Sequence, residues 1–207
     1  MKRFRFRIDP SAAAALLWLI FVDRSRYAVL SFAAAMVHEM GHLAAARLLD
    51  IKMRKMHIGS MGARLFLDSG LLSYRDEALI AAAGPAANLL CLLAVLPILS
   101  QRPSADGLLF FAAASLCLAA INLLPLCGFD GGRIICALLS SWLGESAAER
   151  ILRPVYAIFT VLVWCAASSL CLVSGGNLSL LVLCVFLLFR VVSENICEQK
   201  RRGYKRI

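Results

Sequence analysis

The chain has 207 residues, of which 61% are hydrophobic and only 17% are charged, and its formal net charge at pH 7 is +9. A soluble domain of this length averages nearer half apolar and a quarter charged residues, so one soluble core cannot bury this excess. Long unbroken apolar runs exclude a disordered chain and a coiled coil, and they indicate an integral membrane protein. The basic residues form short clusters between those runs, which is typical of membrane orientation signals and argues against a nucleic-acid partner.

Six apolar segments predict membrane-spanning helices, because a span needs about 20 residues. In chain order they are residues 11–22, 27–49, 78–100, 107–126, 154–174 and 178–192. The first has only twelve residues, a length more typical of an interfacial or re-entrant segment than of a full crossing. A short apolar run after a basic start is also typical of a signal peptide. We interpret it as an uncleaved anchor because no small-residue cleavage site follows it. The predicted fold class is therefore an all-α polytopic membrane protein with about six transmembrane helices.

The loop at residues 51–77 differs from its apolar surroundings. Its polar and apolar residues roughly alternate, and glycines at 59, 62 and 70 supply turn points. This pattern predicts a short β-hairpin-like loop at the membrane surface.

The distribution of Lys and Arg predicts the orientation of the chain. With six crossings and both termini in the cytoplasm, 19 of the 22 basic residues lie on the cytoplasmic side, as the positive-inside rule requires. Residues 1–193 then form a single integral membrane domain. Residues 194–207 form a basic cytoplasmic tail next to the anionic headgroups of the bilayer.

Three ionisable residues occur together inside the second span, in the sequence MVHEMGH. Ionisable groups inside a membrane are costly, so they mark functional sites by default. His38 and His42 are four residues apart and share one helix face, and Glu39 is adjacent. In this HExxH pattern the two imidazoles bind zinc and the glutamate acts as a base. The structural alternative is a buried, hydrogen-bonded packing network of the same three side chains.

A catalytic zinc takes three protein ligands, so the pattern needs one more. Asp130, at the end of the fourth span, is predicted near the same membrane depth as the HExxH turn. Irregular backbone around Pro125 and the neighbouring glycines is tolerated at that depth only where protein or a water-filled cavity surrounds it. An Asp-Gly turn without metal is the alternative for Asp130. His57, in the loop, is a weaker choice of ligand, and Cys127 is left without an assigned role.

Three ordered motifs resemble the site-2 protease family of intramembrane zinc metalloproteases. They are HEMGH at 38–42, AGPAANLL at 83–90 and NLLPLCGFDGGRI at 122–134. The resemblance covers residues 27–140, and the six-span layout looks most like the branch containing the stage IV sporulation processing protease. Where such relatives usually have prolines and a leucine before the acid, this chain has Cys127, Gly128 and Phe129.

The resemblance implies a zinc metalloendopeptidase of the bacterial cell membrane with one Zn²⁺ per chain. His38, His42 and Asp130 would be the ligands, and Glu39 would be the catalytic base. Substrate binding or transition-state support would fall to Asn88, Asn122 and Pro125. The implied partners are a membrane-embedded or membrane-associated protein substrate, cut near the cytoplasmic face, and a regulatory membrane protein. A sigma-factor precursor or an anti-sigma factor is the substrate class that this branch suggests.

Three other functions remain open from the residues alone. Another membrane HExxH peptidase would take a downstream glutamate as third ligand, but Glu145 and Glu149 lack a convincing span context. A zinc-binding scaffold, or pseudoprotease, has no need of an intact Glu39. A zinc transporter would need further ligands along a path across the membrane, and the outer halves of these spans offer none.

Overall fold

A computed structural model of the chain describes residues 5–8, 27–51, 53–59, 62–67, 72–102 and 105–173. The elements in chain order are β1 (Arg5–Ile8), α1 (Tyr27–Leu48), β2 (Met53–Gly59), β3 (Gly62–Leu67), α2 (Tyr74–Gln101), α3 (Asp106–Asn122), α4 (Asp130–Leu143) and α5 (Glu145–Val173). The described part is therefore mainly helical. The predicted spans at 11–22 and 178–192 and the predicted tail at 194–207 lie outside the described residues.

Three of the described helices are long and apolar enough to cross a membrane. They are α1, α2 and the Glu145–Leu170 part of α5. Helix α3 is also apolar but has only 17 residues. These four helices fall on the predicted segments 27–49, 78–100, 107–126 and 154–174. Helix α4 is different, because its 14 residues lie between the predicted spans 107–126 and 154–174, where the sequence analysis predicted no helix.

The residues up to Leu123 form one compact unit, in which α1, α2 and α3 pack against one another in pairs. Helix α1 buries every fourth residue along one face: Ala34, His38, His42 and Ala46. Small residues on such a face let two helix backbones approach closely, which is how helices pack inside a membrane. Large apolar side chains point outward instead, for example Leu90 and Leu93 of α2.

Helix α1 ends in a Schellman motif that fixes where the chain leaves it. The Asp50 N–H donates to the Arg47 carbonyl at 3.0 Å, and the Ile51 N–H donates to the Ala46 carbonyl at 2.9 Å. Asp50 has a left-handed φ of 52°, the conformation that this motif requires of the residue after the helix. The chain then turns directly into the sheet.

A three-stranded sheet in the order β1-β2-β3 belongs to the same unit. Strand β2 pairs antiparallel with β3, and Gly59 and Gly62 face each other across the turn. Strand β1 pairs parallel with β2, in a register that places Arg7 opposite His57. The sequence analysis did not predict the N-terminal strand.

The residues from Leu124 onward form a second compact unit. Here α4 packs against α5, and the Tyr156 hydroxyl of α5 donates a 2.8 Å hydrogen bond to the Gly132 carbonyl of α4. A Cβ on Gly132 would overlap the Leu126 carbonyl oxygen. The first turn of α4 is therefore held between the preceding segment and α5.

We expect Gly41→Ala to destabilise the first unit, because a Cβ there would overlap the Ala83 carbonyl oxygen and lie 2.8 Å from the Ala87 Cβ. Overpacking of this kind costs about 1–3 kcal/mol. Thermal unfolding of the purified protein in detergent measures the effect. Gly107→Ala is the matched control, since among the described residues its Cβ would meet only Leu30 Cδ1 at 3.6 Å, and alanine is the better helix former. Equal melting temperatures for the two variants would contradict this account of the packing.

Candidate metal centre

Two buried imidazoles on α1 face each other at the distance that a shared metal ion requires. His38 and His42 are 5% and 8% exposed, and their rings are nearly perpendicular, with an interplanar angle of 88°. Their Nε2 atoms are 3.2 Å apart. Two nitrogen ligands at the usual 2.0–2.1 Å from a tetrahedral zinc lie about 3.3 Å from each other. The pair therefore fits two corners of a zinc tetrahedron.

Helix α2 supports both rings through residues at the same four-residue interval. The Ile80 carbonyl lies 2.7 Å from His42 Nδ1, and a carbonyl only accepts, so Nδ1 carries the proton and Nε2 keeps its lone pair. One turn further, a Cβ on Gly84 would overlap the His42 ring and lie 2.9 Å from His38 Cε1. Another turn on, Asn88 Nδ2 lies 3.4 Å from His38 Nδ1. The second ring nitrogen of each histidine is thus engaged by α2, as in known zinc sites.

Glu39 directly follows His38 on α1 and is half-buried. Its carboxylate therefore belongs to the same helical turn as the first imidazole. A base for metal-assisted hydrolysis must reach a water next to the metal, and the HExxH spacing provides this position. The role of Glu39 as that base stays a prediction.

In the second unit, Asp130 is the first residue of α4 and is 6% exposed. A carboxylate in the first helical turn is stabilised by the helix dipole. Arg133 adds an ion pair one turn away, with its Nη1 3.5 Å from Asp130 Oδ1. Both features favour a negatively charged side chain at this position.

The segment before Asp130 is buried and takes a conformation that depends on glycine. Leu126 and Phe129 are each 1% exposed, and Cys127 is 4% exposed. Gly128 between them has a φ of 84°, a left-handed value that residues with a Cβ rarely adopt. The unusual Cys-Gly-Phe sequence before the acid therefore makes a tight, buried turn.

His38 and His42 of the first unit and Asp130 of the second are all buried, and each offers one atom that could ligate a metal. Two imidazole nitrogens and one carboxylate oxygen are a donor set that zinc accepts, and three protein ligands leave a fourth position open. This is the ligand set predicted from the sequence. The assignment of individual roles to these residues stays a prediction.

Three further residues were considered for the site, and the structure places each of them as follows. Asn122 is buried, and its Nδ2 donates to the Leu118 carbonyl of its own helix at 2.9 Å. Pro125 is half-buried in the segment between α3 and α4, and His57 lies in β2. The support of substrate by Asn88, Asn122 and Pro125 is not tested by these contacts.

Sequence reasoning missed the way in which α2 holds the histidines. Gly84 and Asn88 were noted as parts of a motif, but the space that Gly84 leaves for the rings and the Ile80 carbonyl were not foreseen. The signal was present in the spacing, because residues 80, 84 and 88 repeat the interval of His38 and His42. A backbone carbonyl carries no side-chain signature, so only the packing of α1 on α2 identifies it.

Comparison with known proteins gives a family match and similar solved structures. The profile of Peptidase family M50 matches residues 99–166, a segment that contains Asn122, Pro125 and Asp130 but not the HEMGH motif. The fold is similar to that of "Site-2 Protease from Methanocaldococcus jannaschii", with a TM-score of 0.64 and 22% sequence identity. The likeness covers 89% of this chain and 86% of that one. No curated protein matches the chain.

The family match covers about a third of the chain, and the structural likeness is one of fold. Members of family M50 are zinc metalloproteases, which agrees with the donor set described above. The family match lies in α3, α4, α5 and their connections, whereas the two histidines lie in α1. The HEMGH motif is therefore an observation independent of that match. Neither comparison singles out the sporulation branch.

We expect Gly84→Ala to weaken zinc binding, because the new methyl group would occupy the space of the imidazole rings. Displaced supporting groups around a metal ligand typically cost about 10- to 100-fold in affinity. Competition against a chromophoric chelator measures the zinc dissociation constant of the detergent-solubilised protein. Gly107→Ala serves as the control, since in the part of the chain that the structure describes its Cβ would meet only Leu30 Cδ1. An unchanged dissociation constant for Gly84→Ala would show that the rings do not depend on this space.

We expect Gly132→Ala to destabilise the second unit by about 1–3 kcal/mol, because the Cβ would overlap backbone that has no room to move. Ser141→Ala in the same helix is the control. The Ser141 side chain is exposed and bonds only the Leu138 carbonyl, so its loss should change stability by less than about 0.5 kcal/mol. Chemical or thermal unfolding in detergent compares the two variants. A Gly132→Ala protein as stable as Ser141→Ala would be evidence against the close approach to Leu126.

Proposed function

We propose that this chain is an intramembrane zinc metalloendopeptidase with His38, His42 and Asp130 as zinc ligands and Glu39 as catalytic base. The observation that carries the proposal is the pair of buried imidazoles, whose Nε2 atoms are 3.2 Å apart on a helix of membrane-spanning length. Two imidazoles facing each other inside apolar surroundings are costly without a function. A shared cation accounts for both their distance and their orientation.

The proposed reaction is the hydrolysis of a peptide bond. A bound zinc ion supplies Lewis acidity, which polarises a carbonyl and lowers the pKa of water to about 7. The carboxylate of Glu39 takes a proton from the water that attacks the peptide carbonyl and then passes it to the leaving amine nitrogen. The side chains of His38, His42 and Asp130 hold their positions throughout. The α2 contacts keep the rings from turning as the charge in the site changes.

A membrane-embedded substrate must unwind before it is cut, because a helix encloses its own carbonyl groups. The freed backbone groups then need partners within protein. Strands β1 and β3 are the two edges of the sheet, and an exposed edge can accept an added strand. We assign this role to β3, whose antiparallel partner β2 joins it directly to α1. Asn122 and Pro125, at the end of α3, are proposed to support the substrate near the bond that is cut.

The proposed substrate is a membrane-embedded or membrane-associated protein cut near the cytoplasmic face of a bacterial cell membrane. A sigma-factor precursor or an anti-sigma factor is the first class to test, since the motifs resemble those of the sporulation branch. A regulatory membrane partner is proposed to control access. Both chain termini are proposed to lie in the cytoplasm, where the positive-inside rule places most of the basic residues.

The main rival is a zinc-binding membrane scaffold that has lost catalysis. It shares the ligand set and differs only at the base, so a substitution that keeps zinc and removes the base separates the two. The other rival, a peptidase with a downstream glutamate as third ligand, predicts a role for Glu149. This residue lies on α5, outside the candidate ligand group.

The test compares zinc content and cleavage of reconstituted candidate substrates for the wild type, Glu39→Gln, His42→Ala and Asp130→Ala. We expect Glu39→Gln to keep zinc and to lose about 10²- to 10⁴-fold in rate, the usual contribution of a general base. The two ligand variants should lose zinc and cleavage together. Glu149→Gln is the matched control and should retain both.

Three outcomes would contradict the proposal. Undiminished cleavage by Glu39→Gln would remove the base assignment. Loss of zinc in Glu149→Gln with zinc retained in Asp130→Ala would support the rival ligand set. Zinc binding without cleavage of any substrate by the wild type would favour the scaffold.

A further inference from the structure

Asn88 makes the polar contact to His38 and is completely buried, with a relative exposure of 0%. Its Nδ2 lies 3.4 Å from His38 Nδ1, while its Oδ1 has no hydrogen-bond partner among the described residues. A buried polar atom without a partner costs roughly 1–3 kcal/mol. A carboxamide fully enclosed next to a candidate metal ligand, with its acceptor unused, therefore calls for an explanation.

The proton positions on the two rings allow two arrangements. His42 Nε2 has a lone pair in both, because the Ile80 carbonyl fixes the proton on His42 Nδ1. In the first arrangement His38 carries its proton on Nε2 and donates it to His42 Nε2 across 3.2 Å. His38 Nδ1 is then an acceptor, and the Asn88 amide nitrogen donates to it. This arrangement leaves Asn88 Oδ1 unused.

In the second arrangement both Nε2 atoms are unprotonated, as two nitrogen ligands of one metal must be. The neutral His38 ring then carries its proton on Nδ1, which becomes a donor. The Asn88 amide nitrogen is also a donor, so the two groups would oppose each other. Rotation of the amide by about 180° exchanges its nitrogen and oxygen, because the two ends are nearly the same shape. Oδ1 then accepts the His38 proton.

We infer that Asn88 is a positioning residue whose amide rotates to accept a hydrogen bond from His38 Nδ1 when both histidines ligate a metal. The His38 ring stays neutral, since the proton that leaves Nε2 is balanced by one that arrives at Nδ1. Asparagine suits this role because it offers a donor to one tautomer and an acceptor to the other. The inference rests on the proposed function for its metal, and it adds a residue that acts through a ligand without touching substrate.

Two substitutions with the same branching and the same number of side-chain heavy atoms separate an acceptor role from a donor role. Asn88→Asp keeps an acceptor and removes the donor, and Asn88→Leu removes both. If the second arrangement is the metal-binding one, the aspartate variant should bind zinc within about threefold of wild type or more tightly, as carboxylates do behind histidine ligands. The leucine variant should bind zinc about 10- to 100-fold more weakly. Ser115→Ala is the matched control.

Ser115 is a suitable control because it is also a completely buried polar residue of this unit, and its hydroxyl has no hydrogen-bond partner among the described residues. Its removal should leave zinc affinity unchanged. The full-length protein in detergent is titrated with zinc against a chelator, and the visible absorption of bound Co²⁺ reports whether the ligand geometry is kept. Circular dichroism verifies that each variant retains its helices. If Asn88→Leu does not retain its helices, the zinc affinities of Asn88→Asp and Ser115→Ala are compared instead, and they decide whether Asn88 acts as an acceptor.

The outcomes of this experiment can be distinguished from those that test the proposed function. Zinc affinity in the order aspartate, asparagine, then leucine supports the inference, whether or not a substrate is cleaved. Equal binding by wild type and Asn88→Leu overturns it, and so does an aspartate variant more than about tenfold weaker than wild type, since a donor role would then be required. A wild type that binds no zinc overturns both the inference and the proposed function. Zinc binding without cleavage overturns only the proposed function.

Discussion

The contact between α1 and α2 is the constraint on which the candidate site depends. Gly41 on one helix and Gly84 on the other bring the two backbones close enough for the Ile80 carbonyl to reach His42. His38 and His42 are buried, so a displaced ring would lose its partners without gaining free solvent, and each ring nitrogen needs a partner in protein. A larger residue at either glycine would separate the helices and leave those nitrogens without their partners. The small residues that let α1 and α2 pack closely are therefore also needed for the chemistry of the site.

The two halves of the candidate ligand group are built in different ways. The histidines belong to a regular helix, and a neighbouring helix supports them through contacts at equal spacing. Asp130 instead follows an irregular turn, in which the left-handed Gly128 and the buried Phe129 set where α4 begins. Hydrogen bonds orient the two histidine rings, whereas the shape of the backbone sets the position of Asp130. Both place polar atoms in buried positions, which a purely structural role would not favour.

Much of the fold and of the candidate site could be predicted from the sequence because the strongest signals were local. The long apolar runs gave α1, α2 and α5, and the HEMGH spacing placed two imidazoles on one helix face. Helix α4 was missed because it opens with Asp-Gly-Gly, which has low helix propensity, and because its charged and apolar residues resemble a loop at the membrane surface. Strand β1 was missed because four residues acquire strand structure only by pairing with a segment far along the chain. The spacing of residues 80, 84 and 88 repeats that of the histidines, but only the packing of α1 on α2 shows that Gly84 makes room for the rings.

The parallel pairing of β1 with β2 restricts the topology of the N-terminal part of the chain. Paired strands with an open edge belong outside the hydrocarbon layer, because lipid cannot satisfy their backbone groups. Strands of one sheet lie on one face of a bilayer, so β1 and β2 must adjoin the same face. The basic N-terminal arm and the β2-β3 hairpin therefore share one compartment, whichever face of the membrane it adjoins.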